Sequence, residues 1–290
     1  MSMQDLKEES PFKRIGPEAP ASPVVLSVPH SGCFYPEPLL QASRLPRHIL
    51  ETLEDPLVDR LVWRAAANGA ATLIANAPRA EIDLNRDERE IDPAMIVPPP
   101  PIGGLIQSAR TRGGLGLIPS RIAGAGPVWR QRLPAAELAQ RITALHRPYH
   151  LALEALLNEA HRRFGVAILL DCHSMPARAE GAGIAQIVLG DRHGTTIAPD
   201  VIDAAAEAVR RAGFTVSRNA PYAGGYITAR HGRPASGIHA VQIEIDRSLY
   251  LAPDMRSAGP GFVRVANLLA SVAAALAGQA LGGPFEIAAE

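Results

Sequence analysis

A chain of 290 residues with 47% hydrophobic and 20% charged residues is ordinary for a globular protein and long enough for one large α/β domain. Its 29 basic and 29 acidic residues cancel, so no global field draws it to nucleic acid or to an anionic membrane surface. The two cysteines, Cys33 and Cys172, exclude a disulfide framework and suit a reduced, cytoplasmic protein.

Residues 1–20 are polar and Pro-containing, lack the apolar core of a signal peptide, and read as an extension ahead of a single domain over 21–282. Val24–Pro29 is a first strand and delivers His30-Ser31. Glu54 to Asn68 carries a helical stripe of Leu57, Val58, Leu61, Val62 and Ala65, with Asp55 before Pro56 as a helix start. Ala71–Ala75 is the next strand. The charged stretch 79–92 follows, and within it Ile82 and Leu84 alternate with Asp83 and Asn85 like a strand edge, whereas 87–90 reads as a wet loop. Pro98–Pro101 and the glycines of 112–116 mark a long connection of the functional or mobile kind.

Residues 134–163 predict a long helix, bent or interrupted near Pro148. The apolar run Ile168-Leu169-Leu170 then ends in Asp171-Cys172-His173-Ser174. A strand at 184–189, a helix at 199–212, a strand at 215–217 and a Gly-rich loop at 223–237 lead to the strand 239–246. Val263 to Leu281 approaches the length of a membrane span, but Arg264, Asn267, Ser271 and Gln279 interrupt it at spacings that suit a helix packed on a sheet. Alternating strands and helices predict a three-layer α/β/α architecture with a mostly parallel sheet.

Ligands of open α/β sheets bind at the carboxyl ends of strands, and two strands here deliver a His followed by a Ser. A catalytic zinc uses three protein ligands and leaves a position open, so His30 and His173 are two ligand candidates. The third is Asp55 or Asp59, which share a helix face. With Asp55 capping the helix, Asp59 is assigned to the metal. Gln242, Glu244 and Asp246 share one face of a strand opposite Val241, Ile243 and Ile245, and Glu244 is placed to work as a base, with Arg247 as the salt-bridge partner it would have on a solvated face. Arg79, Asn85 and Arg86 suit a substrate carboxylate or a scissile carbonyl. Gly224-Gly225-Tyr226-Ile227-Thr228, with His231 behind it, could close over a substrate, and it lacks the context of a phosphate loop. Cys33 and Cys172 are soft-ligand types by chemistry and small buried thiols by the plainer reading.

Six ordered segments carry a resemblance: Val28-Pro29-His30-Ser31-Gly32, Asp55 to Leu61, Arg79 to Arg86, Leu170 to Pro176, Gly224 to Thr228, and Gly237 to Glu244. Over roughly residues 20–270 the chain resembles the N-formylglutamate amidohydrolases, zinc hydrolases of histidine breakdown. That family looks like a distant relative of the zinc carboxypeptidases and aspartoacylases, which implies a phosphorylase/hydrolase-like fold. The resemblance implies His30 and His173 as zinc ligands, Glu244 as general base, Arg86 beside Asn85 as the clamp for a substrate α-carboxylate, and Arg79 as the oxyanion partner. The His-x-x-Glu of the carboxypeptidases is absent, since Cys33 stands three residues after His30.

The expected protein is therefore a cytoplasmic amidohydrolase that cleaves N-formyl-L-glutamate to formate and L-glutamate, with one Zn2+, or another divalent ion, on His30, Asp59 and His173. Gly225 and Thr228 belong to the substrate-closing loop. No nucleic acid or membrane partner is expected, and the Ala-rich C-terminal helix could support a homo-oligomer. Two alternatives stay open: an amidase of another N-acyl amino acid or short peptide, and a non-catalytic binder of anionic metabolites on the same scaffold. Retention of both histidines with Glu244 argues against the binder.

Overall fold

Seven strands form one sheet among the residues described by the computed structural model, 10–177 and 185–282. They are β1 (Phe12–Ile15), β2 (Val24–Val28), β3 (Ala71–Ala75), β4 (Ala167–Met175), β5 (Ile187–Gly190), β6 (Val216–Arg218) and β7 (Ile238–Asp246). The spatial order is β1-β3-β2-β4-β7-β5-β6. The pairs β2–β3, β2–β4, β4–β7 and β5–β6 are parallel, and β7–β5 is antiparallel, so the sheet is mixed and mostly parallel. The near-continuous apolar runs of β2, β4 and β7 are what strands buried on both faces require. The edge strand β1 lies inside the stretch that reads as a polar extension.

Side chains alternate across a strand, and this alternation sorts the central strands into two unlike faces. Val24, Leu26 and Val28, Ile168, Leu170 and Cys172, and Val241, Ile243 and Ile245 enter one aliphatic core. Ser27, Asp171, His173, Gln242 and Glu244 therefore point to the opposite face, although they too are buried. Strand β4 runs through Met175, so Asp171 to Ser174 sit within the strand and not beyond its end, as the sequence had suggested.

The expected helix over 54–68 is broken. The N-cap of the first piece is Leu57, with a left-handed φ of 59°, rather than Asp55, and two short helices follow, Val58–Leu61 and Trp63–Ala67. Segment 79–86 is a chain of turns rather than a strand edge, and Ile82 to Arg86 within it are buried. The long connection holds only one-turn helices and two-residue strands.

The interruption expected near Pro148 is a π-helical segment, Ile142–His146, between Ala135–Arg141 and Arg147–Phe164. Proline cannot donate to the carbonyl four residues back. The wider turn, with Arg147 N–H on the Ile142 carbonyl, accommodates it. Inside the Gly-rich loop lies a helix, Tyr226–His231, packed on β7 and β4.

The helix Phe262–Ala280 is long and apolar enough to cross a membrane, with a mean hydropathy of 1.4. It buries Val265, Leu268, Leu269, Val272 and Leu276 in the aliphatic core and packs on the helix Pro199–Arg211. Two of its polar interruptions are used: Arg264 donates to the Ala212 and Gly213 carbonyls, and Gln279 donates to Asp200.

By internal contacts the chain divides into two compact units. One comprises Arg14–Val28, Asp55–Ile74 and Leu153–Glu290 and carries the aliphatic core. The other comprises Met1–Lys13, Pro29–Glu54 and Ala75–Ala152, and it buries Leu50, Ile82, Leu84, Ile96, Leu117 and Tyr149 among short helices and turns.

Candidate metal centre

His173 lies in the middle of β4, in register with Glu244 of β7. Its Nδ1 is 3.1 Å from Asp55 Oδ2, and its Nε2 is 2.8 Å from Asp171 Oδ2. Ser27 of β2 donates to the other Asp171 oxygen at 2.8 Å, so three strand positions fix one imidazole edge. Asp55 also accepts from Ser174 at 3.2 Å and from Arg247 at 3.1 Å. The Asp55 carboxylate thus faces the strand. Asp59, the sequence choice for the metal, lies half-buried in the first turn of Val58–Leu61, and it is Asp55 that contacts His173.

Burial opposes charge on the His173 ring, yet Asp171 and Asp55 at its two nitrogens, with Glu244 nearby, hold its pKa well above the ordinary imidazole value. The surroundings of this imidazole thus favour a positive charge. Glu244 is buried and accepts from Gln242 Nε2 at 2.8 Å. Arg247, its expected solvent-face partner, binds Asp55 and Ser174.

His30 stands two residues beyond β2, and its Nε2 is 2.8 Å from Asp83 Oδ1. Asp83 was missed as a site residue. It is fully buried and accepts from the Asn85 backbone N–H at 2.9 Å, with Arg79 at 2.9 Å and Arg86 Nη2 at 3.6 Å. Burial alone would raise the carboxyl pKa, but Arg79, Arg86 and His30 hold it well below the usual range. An acid set four residues after one arginine and three before another was the available signal. Arg86 also donates to the Leu115 carbonyl at 2.9 Å and the Asn85 carbonyl at 2.6 Å, and its buried Nη2 has no hydrogen-bond partner among the described residues. Arg79 is the more open of the two, with 16% of its side chain exposed against 3% for Arg86.

Gly225 and Thr228 form a packed corner. Gly225 precedes the helix Tyr226–His231, and the Thr228 hydroxyl, fully buried, donates to the Gly225 carbonyl at 2.9 Å. A side chain at Gly224, where φ is +103°, would meet that hydroxyl at 2.8 Å, so only glycine closes the corner. Burial pushes the His231 imidazole down to about 3, with Arg230 and Arg233 adding to the effect.

His30, Asp55 and His173 form a buried group that could hold a metal ion, with ligand atoms within 4.8 Å of one another. Two imidazoles and a carboxylate are a zinc-type donor set. Each imidazole also places Nε2 on a buried carboxylate, Asp83 or Asp171, the pairing that fixes the tautomer and orientation of metal-bound histidines. The donors fit a divalent cation. Neither cysteine belongs to the group: Cys33 is exposed, and burial keeps Cys172 a thiol.

Over residues 22–251 the sequence matches the family described as N-formylglutamate amidohydrolase. The chain belongs to that family. It is 31% identical to an N-formylglutamate deformylase of Pseudomonas aeruginosa, over 79% of this chain and 82% of the relative. A Pseudomonas putida protein of the same name is 29% identical over the same shares. Among solved structures, the N-formylglutamate amidohydrolase from Ralstonia eutropha superposes with a TM-score of 0.84 at 37% identity, covering 91% of this chain and 96% of that one. A protein of Agrobacterium tumefaciens, with a TM-score of 0.67 and 19% identity over 96% of both chains, shares the fold. The mixed, mostly parallel sheet is thus that of N-formylglutamate amidohydrolase structures.

Proposed function

We propose that this chain is a metal-dependent amidohydrolase that cleaves N-formyl-L-glutamate to formate and L-glutamate. The observation that carries the proposal is the His30–Asp55–His173 group with a buried carboxylate behind each imidazole. The relatives named N-formylglutamate deformylase supply the substrate. The finer fold assignment, a three-layer phosphorylase/hydrolase-like domain akin to zinc carboxypeptidases, belongs to the same proposal.

A divalent ion, zinc by the donor types, supplies Lewis acidity and lowers the pKa of water when bound. The residues do the rest. Glu244, with one oxygen held by Gln242, takes the proton of the attacking water and returns it to the departing amide nitrogen. Arg79 steadies the oxyanion that develops on the formyl oxygen. Arg86 offers its Nη2, which makes no hydrogen bond among the described residues, to a substrate carboxylate beside Asn85. Gly225 and Thr228 shape the wall of the pocket. Asp55 takes the ligand role expected of Asp59.

The test is formate release from N-formyl-L-glutamate by purified protein before and after chelation, with metal content measured in parallel. About one divalent ion per chain, activity lost on chelation and activity restored by Zn2+ are expected. Metal-loaded protein that releases no formate would overturn the reading. A panel of N-formyl and N-acetyl amino acids ranks the substrates.

A further inference from the structure

The turn 79–86 carries Asp83, yet it belongs to no strand, so its carbonyls need donors from elsewhere. One interrupted helix provides three of them. Arg141 Nη1 donates to the Glu81 carbonyl at 2.9 Å, His150 Nε2 to the Leu84 carbonyl at 3.0 Å, and His146 Nε2 to the Arg86 carbonyl at 2.8 Å. A carbonyl can only accept, so Nε2 of each ring carries its proton.

The packing fixes all three donors. The imidazoles of His146 and His150 lie 4.4 Å apart between ring centres and are wholly buried. Tyr149 meets His150 edge-on at 5.9 Å, and the Arg141 guanidinium lies 5.2 Å over the Trp129 ring. His146 closes the π-helical segment, and π turns occur mostly as single insertions, frequently at functional sites. The insertion shifts every later side chain around the helix relative to Arg141, which lets both imidazoles and Arg141 meet the same turn.

We propose that Arg141, His146 and His150 are positioning residues of the metal centre: bolted to the carbonyls of Glu81, Arg86 and Leu84, they hold Asp83 where it orients His30. The inference rests on the metal-dependent reading above. Asp83 carries the effect, because its carboxylate binds His30 while its backbone lies within the braced turn.

The experiment measures divalent-metal affinity by chelator competition with Zn2+ in full-length variants, alongside hydrogen exchange of the 83–86 segment in metal-free protein. His150→Leu and His146→Leu remove the donor, while the matching Gln variants retain an N–H of similar reach. Each Leu variant should weaken Zn2+ binding by about 10- to 100-fold, the range for groups behind a metal ligand. The Gln variants should recover most of that loss. In an Asp83→Asn background, His150→Leu should add little further loss, since both act through one carboxylate. Unchanged affinity in the Leu variants, or losses that simply add to that of Asp83→Asn, would overturn the proposal. If the wild-type chain binds no divalent ion, the metal-dependent reading fails, and exchange then judges the brace. Faster exchange of 83–86 in His150→Leu with recovery in His150→Gln would support it, and unchanged protection would overturn it.

Discussion

His173 and His30 solve one problem with different materials. Both present an imidazole whose Nε2 rests on a buried carboxylate. His173 sits inside a strand with parallel neighbours on both sides, so the backbone ladder sets its position and Asp171, two residues earlier on the same face, supplies the partner. His30 lies beyond the end of its strand, and its partner Asp83 sits in a turn without a ladder. There the precision comes from side chains: two arginines on the carboxylate and three donors on the carbonyls. A strand-borne ligand is positioned by backbone pairing, whereas a turn-borne one depends on charged and polar contacts that single substitutions can remove.

The largest effect should come from the ligand set. Asp55→Asn should strip the metal and abolish turnover, while Asp59→Asn should keep the metal and most of the turnover. Metal analysis of both variants decides, and loss of metal in Asp59→Asn alone would reverse the assignment. Glu244→Gln follows, with turnover expected to fall about 10²- to 10⁴-fold while metal content is kept. A fully active Glu244→Gln enzyme would remove Glu244 from proton transfer.

The next pair tests the comparison directly. Asp83→Asn and Asp171→Asn should each weaken metal binding about 10- to 100-fold. Only Asp83→Asn should also cost about 3–5 kcal/mol of stability in denaturant unfolding, because it leaves the buried Arg86 without its counter-ion. Equal stability losses in the two variants would mean that the turn is no more dependent on charge than the strand.

The smallest effect at neutral pH, one that appears only in acid, concerns the helix over β7 and β4. His231 has a folded pKa of about 3 against an ordinary 6.5, so between those values the unfolded chain binds more protons. Stability should therefore fall as pH drops from about 6.5 toward about 3, by up to about 1.4 kcal/mol per pH unit. His231→Gln should flatten that limb of the stability–pH curve, and an unchanged slope would assign it to other groups.

Strand-borne features were legible because their signals are local. The apolar run before Asp171-Cys172-His173-Ser174 and the alternation around Glu244 follow from period two and burial alone, although that strand runs on to Met175. The break before Pro148 was equally readable, since it follows from a missing N–H. The turn-borne features were not. Asp55 before Pro56 has the local signature of a helix cap, yet His173, Ser174 and Arg247, far along the chain, hold it elsewhere. Ile82 to Asn85 alternates like a strand, but among the described residues no strand pairs with it, and Asp83 reads as one charge among many until its arginines are seen to close on it.

By itself the sequence determined the alternating strands and helices, the two imidazoles and the acid on β7, because hydrophobic period and residue chemistry are written locally. The tertiary structure alone decided which carboxylate meets which imidazole. Asp55 in place of Asp59, Asp83 behind His30 and the helix that braces its turn all depend on contacts between residues far apart in the chain, which no local pattern encodes.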